Sequence, residues 1–201
     1  RGLWAGPRPQ RVITVPTCSN CNNGTSGDDQ YFRNVLAIWQ NIDHPEAKRV
    51  CEGPMKRSFG YDRGLLEKLL RGRTTRPKMT PNGLYLGGKP FFLLDVQSMN
   101  RSLCKIVLGL FYAARSHILP PTHGLHLCVS PDKKMLGDWL EMTKGMCPEQ
   151  NFGDDVFVWR FSGDAEDPNL TFWMLAFYQK VAFFAATLPS EELAEPEEPI
   201  E

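Results

Sequence analysis

Apolar side chains recur at the period of an α-helix, or follow helix-start signals, in several parts of the chain. The predicted helices span residues 28–41, 45–59, 63–70, 97–116 and 132–144. A Ser26–Asp29 capping-box pattern precedes the first helix, and Pro45 occupies a favoured first position in the second. The face of the first helix that we expect to be buried consists of Tyr31, Phe32, Val35, Leu36 and Trp39. In the fourth helix, Arg101 and Lys105 fall largely outside the apolar stripe.

Shorter segments are rich in β-forming residues and are bounded by turn residues. The predicted strands span residues 12–15, 84–86, 91–96, 125–129, 156–161, 171–178 and 181–187. Gly87-Gly88 is expected to join the second and third of these strands. We infer an α+β fold, divided into residues 1–58, residues 59–188 with a mixed helical and antiparallel-sheet structure, and residues 189–201. The last segment is rich in Glu and Pro and is expected to be disordered.

The formal net charge is zero, but the charged residues are unevenly distributed. Residues 1–80 hold fourteen Lys and Arg and seven Asp and Glu, whereas residues 189–201 hold six Glu and no basic residue. A basic segment suits a polyanion such as DNA, because each phosphate contact releases counterions. An unevenly charged, solvated surface is the alternative interpretation. The candidate nucleic-acid-binding residues are Arg57, Arg63, Arg71, Arg73, Arg76 and Lys78.

The apolar runs and the cysteines bear on where the protein works. The longest apolar runs, residues 106–114 and 181–186, are too short to cross a bilayer, and the start of the chain carries no secretory signal pattern. Only Cys18 and Cys21, of six cysteines, lie at a ligand-like spacing. A secreted disulfide scaffold would be shorter and denser in cysteine. We therefore predict a cytoplasmic protein with no membrane partner.

The Cys18–Cys21 pair lies in a run of turn-forming residues, residues 18–24, that predicts a tight loop. A single Cys-x2-Cys is half of a structural zinc site, since zinc in such sites takes four ligands. Neither Cys51 nor His44 completes the site at a suitable position. Two surface thiols without a metal and a redox pair are the other interpretations that the spacing leaves open.

The same residues resemble a known family. Residues 15–26, Val-Pro-Thr-Cys-Ser-Asn-Cys-Asn-Asn-Gly-Thr-Ser, are similar to the downstream half of the HNH endonuclease motif in a group of uncharacterised prokaryotic proteins. In that group Cys-x2-Cys-Asn is followed by a small residue, Ser, an acidic pair and Tyr-Phe-Arg. Residues 26–33 reproduce this continuation, and the likeness extends to residues 57–58, 85–87, 105–112 and 177–178.

The resemblance implies a partial ββα-metal finger. Cys18 and Cys21 would be two of four ligands of a structural Zn²⁺. Asn22 occupies the place where many HNH enzymes carry their last histidine, so it would be a ligand of a catalytic Mg²⁺ or Mn²⁺. The cation would stabilise the leaving oxygen of a DNA phosphodiester, and a histidine from an upstream strand would activate water. Asp28-Asp29 would contact a metal or, alternatively, serve the dipole of the following helix.

The chain departs from the family pattern because the upstream cysteine pair and the Glu-His pair do not precede Val15. None of the four histidines lies in the place of the general base. We therefore expect the C-terminal portion of an HNH-type endonuclease, inactive as this fragment, with its upstream half encoded before Arg1. The alternative is a non-catalytic module that binds nucleic acid or protein through a degenerate zinc finger. A protein without metal, whose thiols have no joint role, is the third interpretation.

Overall fold

The protein is described from a computed structural model, which covers residues 3–5, 9, 12–39, 43–71, 73–128 and 145–191, except for the side chains of residues 20, 21, 89 and 90. The helices are α1 (Ser19–Asn23), α2 (Ser26–Ile38), α3 (Pro45–Val50), α4 (Lys56–Tyr61), α5 (Arg63–Leu70) and α6 (Val96–Arg115). The strands are β1 (Thr74–Met79), β2 (Tyr85–Phe91), β3 (His123–Cys128), β4 (Gln150–Phe152), β5 (Phe157–Gly163), β6 (Thr171–Phe177) and β7 (Val181–Pro189). The architecture is α+β, as the sequence predicts.

The C-terminal strands form an antiparallel sheet of five strands in the order β3-β7-β6-β5-β4. Every second residue of β6 is buried, so one face of this strand lies in the core. Helix α2 packs on that core, with the rings of Phe32 and Phe177 5.4 Å apart and those of Trp39 and Phe183 6.4 Å apart. Strand β4 is not predicted by the sequence because its three residues are too few to show a pattern.

Helix α6 completes the layer of helices. Its buried residues, Ser98, Met99, Ser102, Leu103, Val107, Leu110 and Phe111, recur at the helical period as predicted. The five apolar residues among them belong to one buried cluster that also contains residues of α2, α3, α5 and the five-stranded sheet. A single hydrophobic core therefore spans the division that we predict at residue 58.

The predicted helix over residues 45–59 is confirmed as one helical segment from α3 to α4, with a π-helical turn, Cys51–Met55, between them. Pro54 lies inside this turn, where its missing N–H and its ring interrupt the regular hydrogen-bond ladder. At the other end, the Nδ1 atom of His44 accepts a hydrogen bond from the backbone N–H of Glu46 at 3.2 Å and caps α3. His44 therefore has a structural role.

The strand predicted at residues 84–86 is found as the start of β2, but the predicted break at the glycine pair and the separate strand at residues 91–96 are wrong. Instead, β2 runs through Gly87 and Gly88 and pairs with β1 to form a separate two-stranded hairpin. The turn of this hairpin contains Gly83, whose φ of 81° lies in the left-handed region that glycine adopts without strain. Strand β1 is not predicted by the sequence because its basic and small polar residues show no apolar alternation.

Four further predictions about the amino-terminal part are corrected. Residues 12–15 form no strand, and the predicted loop at residues 18–24 contains α1, a single helical turn. Helix α2 begins at Ser26 rather than at residue 28, and Thr25 occupies its N-cap without a side-chain capping bond, so the capping box does not form. The predicted helix over residues 132–144 and residues 192–201 of the acidic tail lie outside the described residues. None of the described helices combines the length and apolarity that a bilayer-spanning segment requires.

Candidate metal and nucleic-acid site

The motif residues lie on the one-turn helix α1 and the residue before it. The backbone N–H of Asn22 donates to the carbonyl oxygen of Cys18 at 3.0 Å, which closes an α-helical turn. Residues four apart on such a turn are neighbours on one face, and the side chains of both Cys18 and Asn22 are exposed. Asn22 is thus accessible from solvent rather than directed into a packed interior. The backbone places residue 21 within the same turn.

A charged network fixes the start of α2, and with it the turn that carries the motif. Asp28 accepts two hydrogen bonds from the guanidinium group of Arg101, at 2.6 Å from Nε and 3.0 Å from Nη2. The hydroxyl of Ser98 also donates to Asp28 at 2.6 Å. The hydrogen bonds from Arg101 are the largest cause of the lowered pKa of Asp28. Asp28 therefore joins α2 to α6.

Asp29 makes a second connection to α6, one turn further along. The Nζ atom of Lys105 lies 2.5 Å from a carboxylate oxygen of Asp29 and 2.8 Å from the hydroxyl oxygen of Thr25. The hydroxyl of Ser102 donates to the other carboxylate oxygen of Asp29 at 3.3 Å. Because Thr25 lies two residues after the end of α1, Lys105 holds the segment between α1 and α2 against α6. Both acidic residues are therefore engaged in contacts between helices.

The network continues to α5 and to the beginning of α6. The Nζ atom of Lys68 lies 2.7 Å from Asp95 and 2.6 Å from the hydroxyl of Ser98. Asp95 caps α6 by accepting from the backbone N–H of Ser98 at 3.0 Å, and its own backbone N–H donates to the Tyr31 hydroxyl at 2.8 Å. The hydrogen bond from Lys68 is the largest cause of the fall in the pKa of Asp95 to about 2. Three helices thus meet through alternating charges.

A cleft of about 570 Å³ opens beside Asn22. Asp29, Ser102 and Lys105 contribute polar atoms to its wall, and aromatic side chains that include Phe32 form its apolar part. This volume falls within the range of sites for small molecules or for single groups of a larger ligand. The charged network therefore borders the accessible motif residue.

A larger cleft of about 890 Å³ lies elsewhere and is lined by His44, Glu46, Asp154 and Tyr178, among others. None of the predicted site residues lines it. The His44 ring is engaged with the carbonyl oxygen of Asp154 at 2.9 Å, and burial raises the pKa of Tyr178. This second cleft therefore has no connection with the motif.

The metal ligands predicted from the sequence are not completed within the described residues, which contain no group of three His, Cys, Asp or Glu side chains suited to a metal. Burial raises the pKa of the Cys51 thiol, which donates to the carbonyl oxygen of Ala37 at 3.4 Å. Zinc takes the thiolate, so this environment does not favour Cys51 as a third ligand.

The histidines of the described residues do not complete the site either. The Nε2 atom of His123 lies 2.7 Å from a carboxylate oxygen of Asp167, and the ring of His117 lies 3.0 Å from the side-chain oxygen of Asn169. Each contact fastens the sheet or its flanking loops. This is in line with a structural rather than a catalytic role for these rings.

The structure brings together most of the predicted nucleic-acid-binding residues. Arg71 and Arg73 lead into the hairpin, Arg76 and Lys78 lie on β1, and all four are exposed. Arg57 is exposed on α4, a different element. The sequence did not reveal the pairing of acidic residues on α2 with basic residues on α6, although the basic residues that fall outside the apolar stripe of α6 were a usable signal.

No family model, curated protein or solved structure matches this chain.

Proposed function

We propose that the chain is the C-terminal portion of a metal-dependent HNH-type endonuclease that hydrolyses DNA phosphodiester bonds, and that this portion is inactive without its upstream half. The observation that carries the proposal is the exposed pair Cys18 and Asn22 on one helical turn, which is mounted on a rigid network. A catalytic ligand must be held in place by its surroundings, and three helices joined by charged hydrogen bonds provide such support. The scattered cysteines favour a cytoplasmic enzyme.

In this proposal, Cys18 and Cys21 hold a structural Zn²⁺ together with two upstream ligands, while Asn22 offers its side-chain oxygen to Mg²⁺ or Mn²⁺. When bound, the divalent cation stabilises the leaving oxygen of the phosphodiester. The side chain of Asn22 is exposed, and Asp28 and Asp29 fasten the helix that follows the turn to α6. The exposed basic residues Arg57, Arg71, Arg73, Arg76 and Lys78 contact DNA phosphates.

Zinc content tests the structural half of the proposal. The chain extended with the residues encoded upstream of Arg1 should bind about one Zn²⁺ per molecule. Replacing Cys18 or Cys21 with Ser should lower this content, whereas Cys147→Ser should not, because Cys147 lies beside β5, where its sulfur accepts from the backbone of Phe161. A zinc content that is the same in all of these variants would contradict the assignment of the two motif cysteines.

Plasmid nicking tests the catalytic half. The extended chain should nick supercoiled plasmid in the presence of Mg²⁺ or Mn²⁺, and Asn22→Ala should reduce the rate by at least about a hundredfold if the cation is lost. Asn23→Ala is the matched control, since Asn23 is also an exposed asparagine of α1. Equal rates for the two variants would remove Asn22 from the site.

The second candidate is a non-catalytic nucleic-acid-binding module with a degenerate zinc finger. The observation that favours it is the lack of a complete metal-ligand group within the described residues, beside a basic hairpin with no buried residue on β1. This candidate predicts DNA binding by the extended chain without metal-dependent nicking. The two assays above therefore separate the candidates.

A further inference from the structure

The hairpin of β1 and β2, hereafter the basic hairpin (residues 74–91), forms a two-stranded sheet of its own. All six residues of β1 are exposed, and none of the described side chains of either strand belongs to the buried core. An isolated two-stranded hairpin is marginally stable in water, because it has no hydrophobic face to bury. The presence of a hairpin outside the core is more readily explained if the hairpin binds another molecule.

The charge of this segment is of one sign. Residues 69–94 contain five basic residues and no acidic residue. Elsewhere the described carboxylates neutralise Lys68, Arg101 and Lys105, but the ion pairs of the described residues include no basic side chain of β1. A basic segment without neutralising carboxylates among the described residues suits a polyanion.

The hairpin edges do not suit addition of another protein strand. Pro77 lies opposite Gly88, and Pro90 lies opposite Thr75, so both strands contain a residue without an N–H group. Proline is tolerated where its nitrogen faces away from the partner strand, so each outer edge lacks a donor at that position. Missing donors at the edges block edge-to-edge pairing. This argues against a partner that binds as an extra strand.

The end of the hairpin near its turn is apolar and exposed. Four side chains in this region are 52–66% exposed: Met79, Leu84, Tyr85 and Leu86. Met79 and Tyr85 are cross-strand partners, so the ring and the thioether flank the turn together. Proteins that enter DNA grooves place apolar side chains against thymine methyl groups or between base steps, beside basic side chains that contact phosphates.

We propose that the basic hairpin inserts into a groove of double-stranded DNA, with Arg76 and Lys78 on the phosphates and Tyr85 against the base or sugar edges. The choice of DNA rests on the proposed function, but the binding itself requires no catalytic centre. A strand of six residues extends about 20 Å, and the major groove, which is about 12 Å wide, admits a two-stranded ribbon. Arg76 is braced for this role, since its guanidinium lies 5.1 Å from the centre of the Phe91 ring.

The charge contribution is tested by fluorescence anisotropy with the 201-residue chain and a labelled duplex of about 30 base pairs. The double variant Arg76→Gln/Lys78→Gln should bind roughly 50-fold more weakly at about 0.1 M salt, with the slope of log K against log salt reduced by about 2. The control Lys48→Gln/Lys180→Gln removes the same charge from exposed positions outside the hairpin. It should change the affinity by no more than about threefold.

The apolar contribution is tested by Tyr85→Ala. Tyr85 is 61% exposed, and Tyr61, which is 93% exposed on α4, provides the matched control Tyr61→Ala. Loss of a groove contact should weaken duplex binding by about tenfold with an unchanged salt slope, whereas the control should bind normally. Both tyrosines are exposed, so unchanged circular dichroism and melting temperature are expected for each variant.

Four outcomes would overturn the proposal. The first two are no duplex binding by the unaltered chain at about 50 mM salt and equal losses of affinity in the hairpin and control variants. The other two are a preference for single-stranded DNA of the same length, and concentration-dependent self-association that Tyr85→Ala abolishes without any DNA binding. The last outcome would assign the hairpin to an interface between copies of the chain. Binding that fails while the extended chain still nicks plasmid would refute the hairpin alone. Binding that persists without zinc uptake or nicking would refute the nuclease alone.

Discussion

The charged network that joins α2 to α6 beside the motif gives a direct test of how the candidate site is held in place. Asp28 has a side chain that is only 14% exposed and accepts a bidentate pair of hydrogen bonds from Arg101. Hydrogen bonds to charged groups contribute about 1.5–3 kcal/mol, and a carboxylate in the first turn of a helix contributes about 0.3–1 kcal/mol. Because Arg101 is half-exposed and regains water when its partner is lost, we expect Asp28→Asn to lower the free energy of unfolding by about 2–3 kcal/mol.

Urea denaturation followed by circular dichroism at pH 7 measures this loss. The control is Asp43→Asn, which makes the same chemical change beside the start of α3, where Asp43 is 85% exposed and pairs with Lys48. An exposed ion pair contributes little to stability, so the control should lose clearly less than Asp28→Asn. If Asp28→Asn costs no more than the control, the network does not stabilise the junction of α2 and α6.

The pH dependence gives an independent check on the same network. The folded-state pKa values of Asp28 and Asp95 lie below the ordinary value of 3.8, chiefly because Arg101 and Lys68 donate to them. Their stabilisation is therefore complete above that ordinary value and is lost as the pH falls through the lower folded-state values. The difference between the unaltered chain and Asp28→Asn should be constant above about pH 5 and shrink below about pH 4. A difference that grows on acidification would refute the assigned direction of the shift.

Two further substitutions test the packing of the buried core by the same denaturation assay. Leu103 is fully buried in α6, so Leu103→Ala should lower the free energy of unfolding by about 2–5 kcal/mol. The control Leu108→Ala, on the same helix at a residue that is 42% exposed, should lower it by less than about 1 kcal/mol. Similar losses in the two variants would contradict the described orientation of α6. The hydroxyl oxygen of buried Thr187 accepts a hydrogen bond from the backbone N–H of Thr171 at 2.9 Å. Thr187→Val should lower the free energy of unfolding by about 1–3 kcal/mol, because it leaves this donor unsatisfied. An unchanged urea midpoint would show that the donor finds another partner.

Local pattern was sufficient for the elements that bury a regular face. Helix α6 and strands β5, β6 and β7 lie within a few residues of their predicted positions, because the periodic burial of a helix or a strand is written in successive residues. Local pattern failed for β1, whose exposed residues alternate no apolar face, and for α1, whose turn-forming residues close one helical turn. The motif at Cys18 and Asn22 was visible only as a sequence likeness, and its metal ligands stay a prediction.

The sequence by itself determined the class of fold, the apolar stripes and the uneven distribution of charge, since each of these depends on residue type and short-range spacing. Only the tertiary structure decided which charges meet. Asp28 and Arg101 are separated by 73 residues, and nothing in their local surroundings distinguishes a paired carboxylate from a solvated one. The same holds for Arg76, which no described carboxylate neutralises. Ion pairing depends on the approach of distant segments, and that approach is set by the burial of the common core.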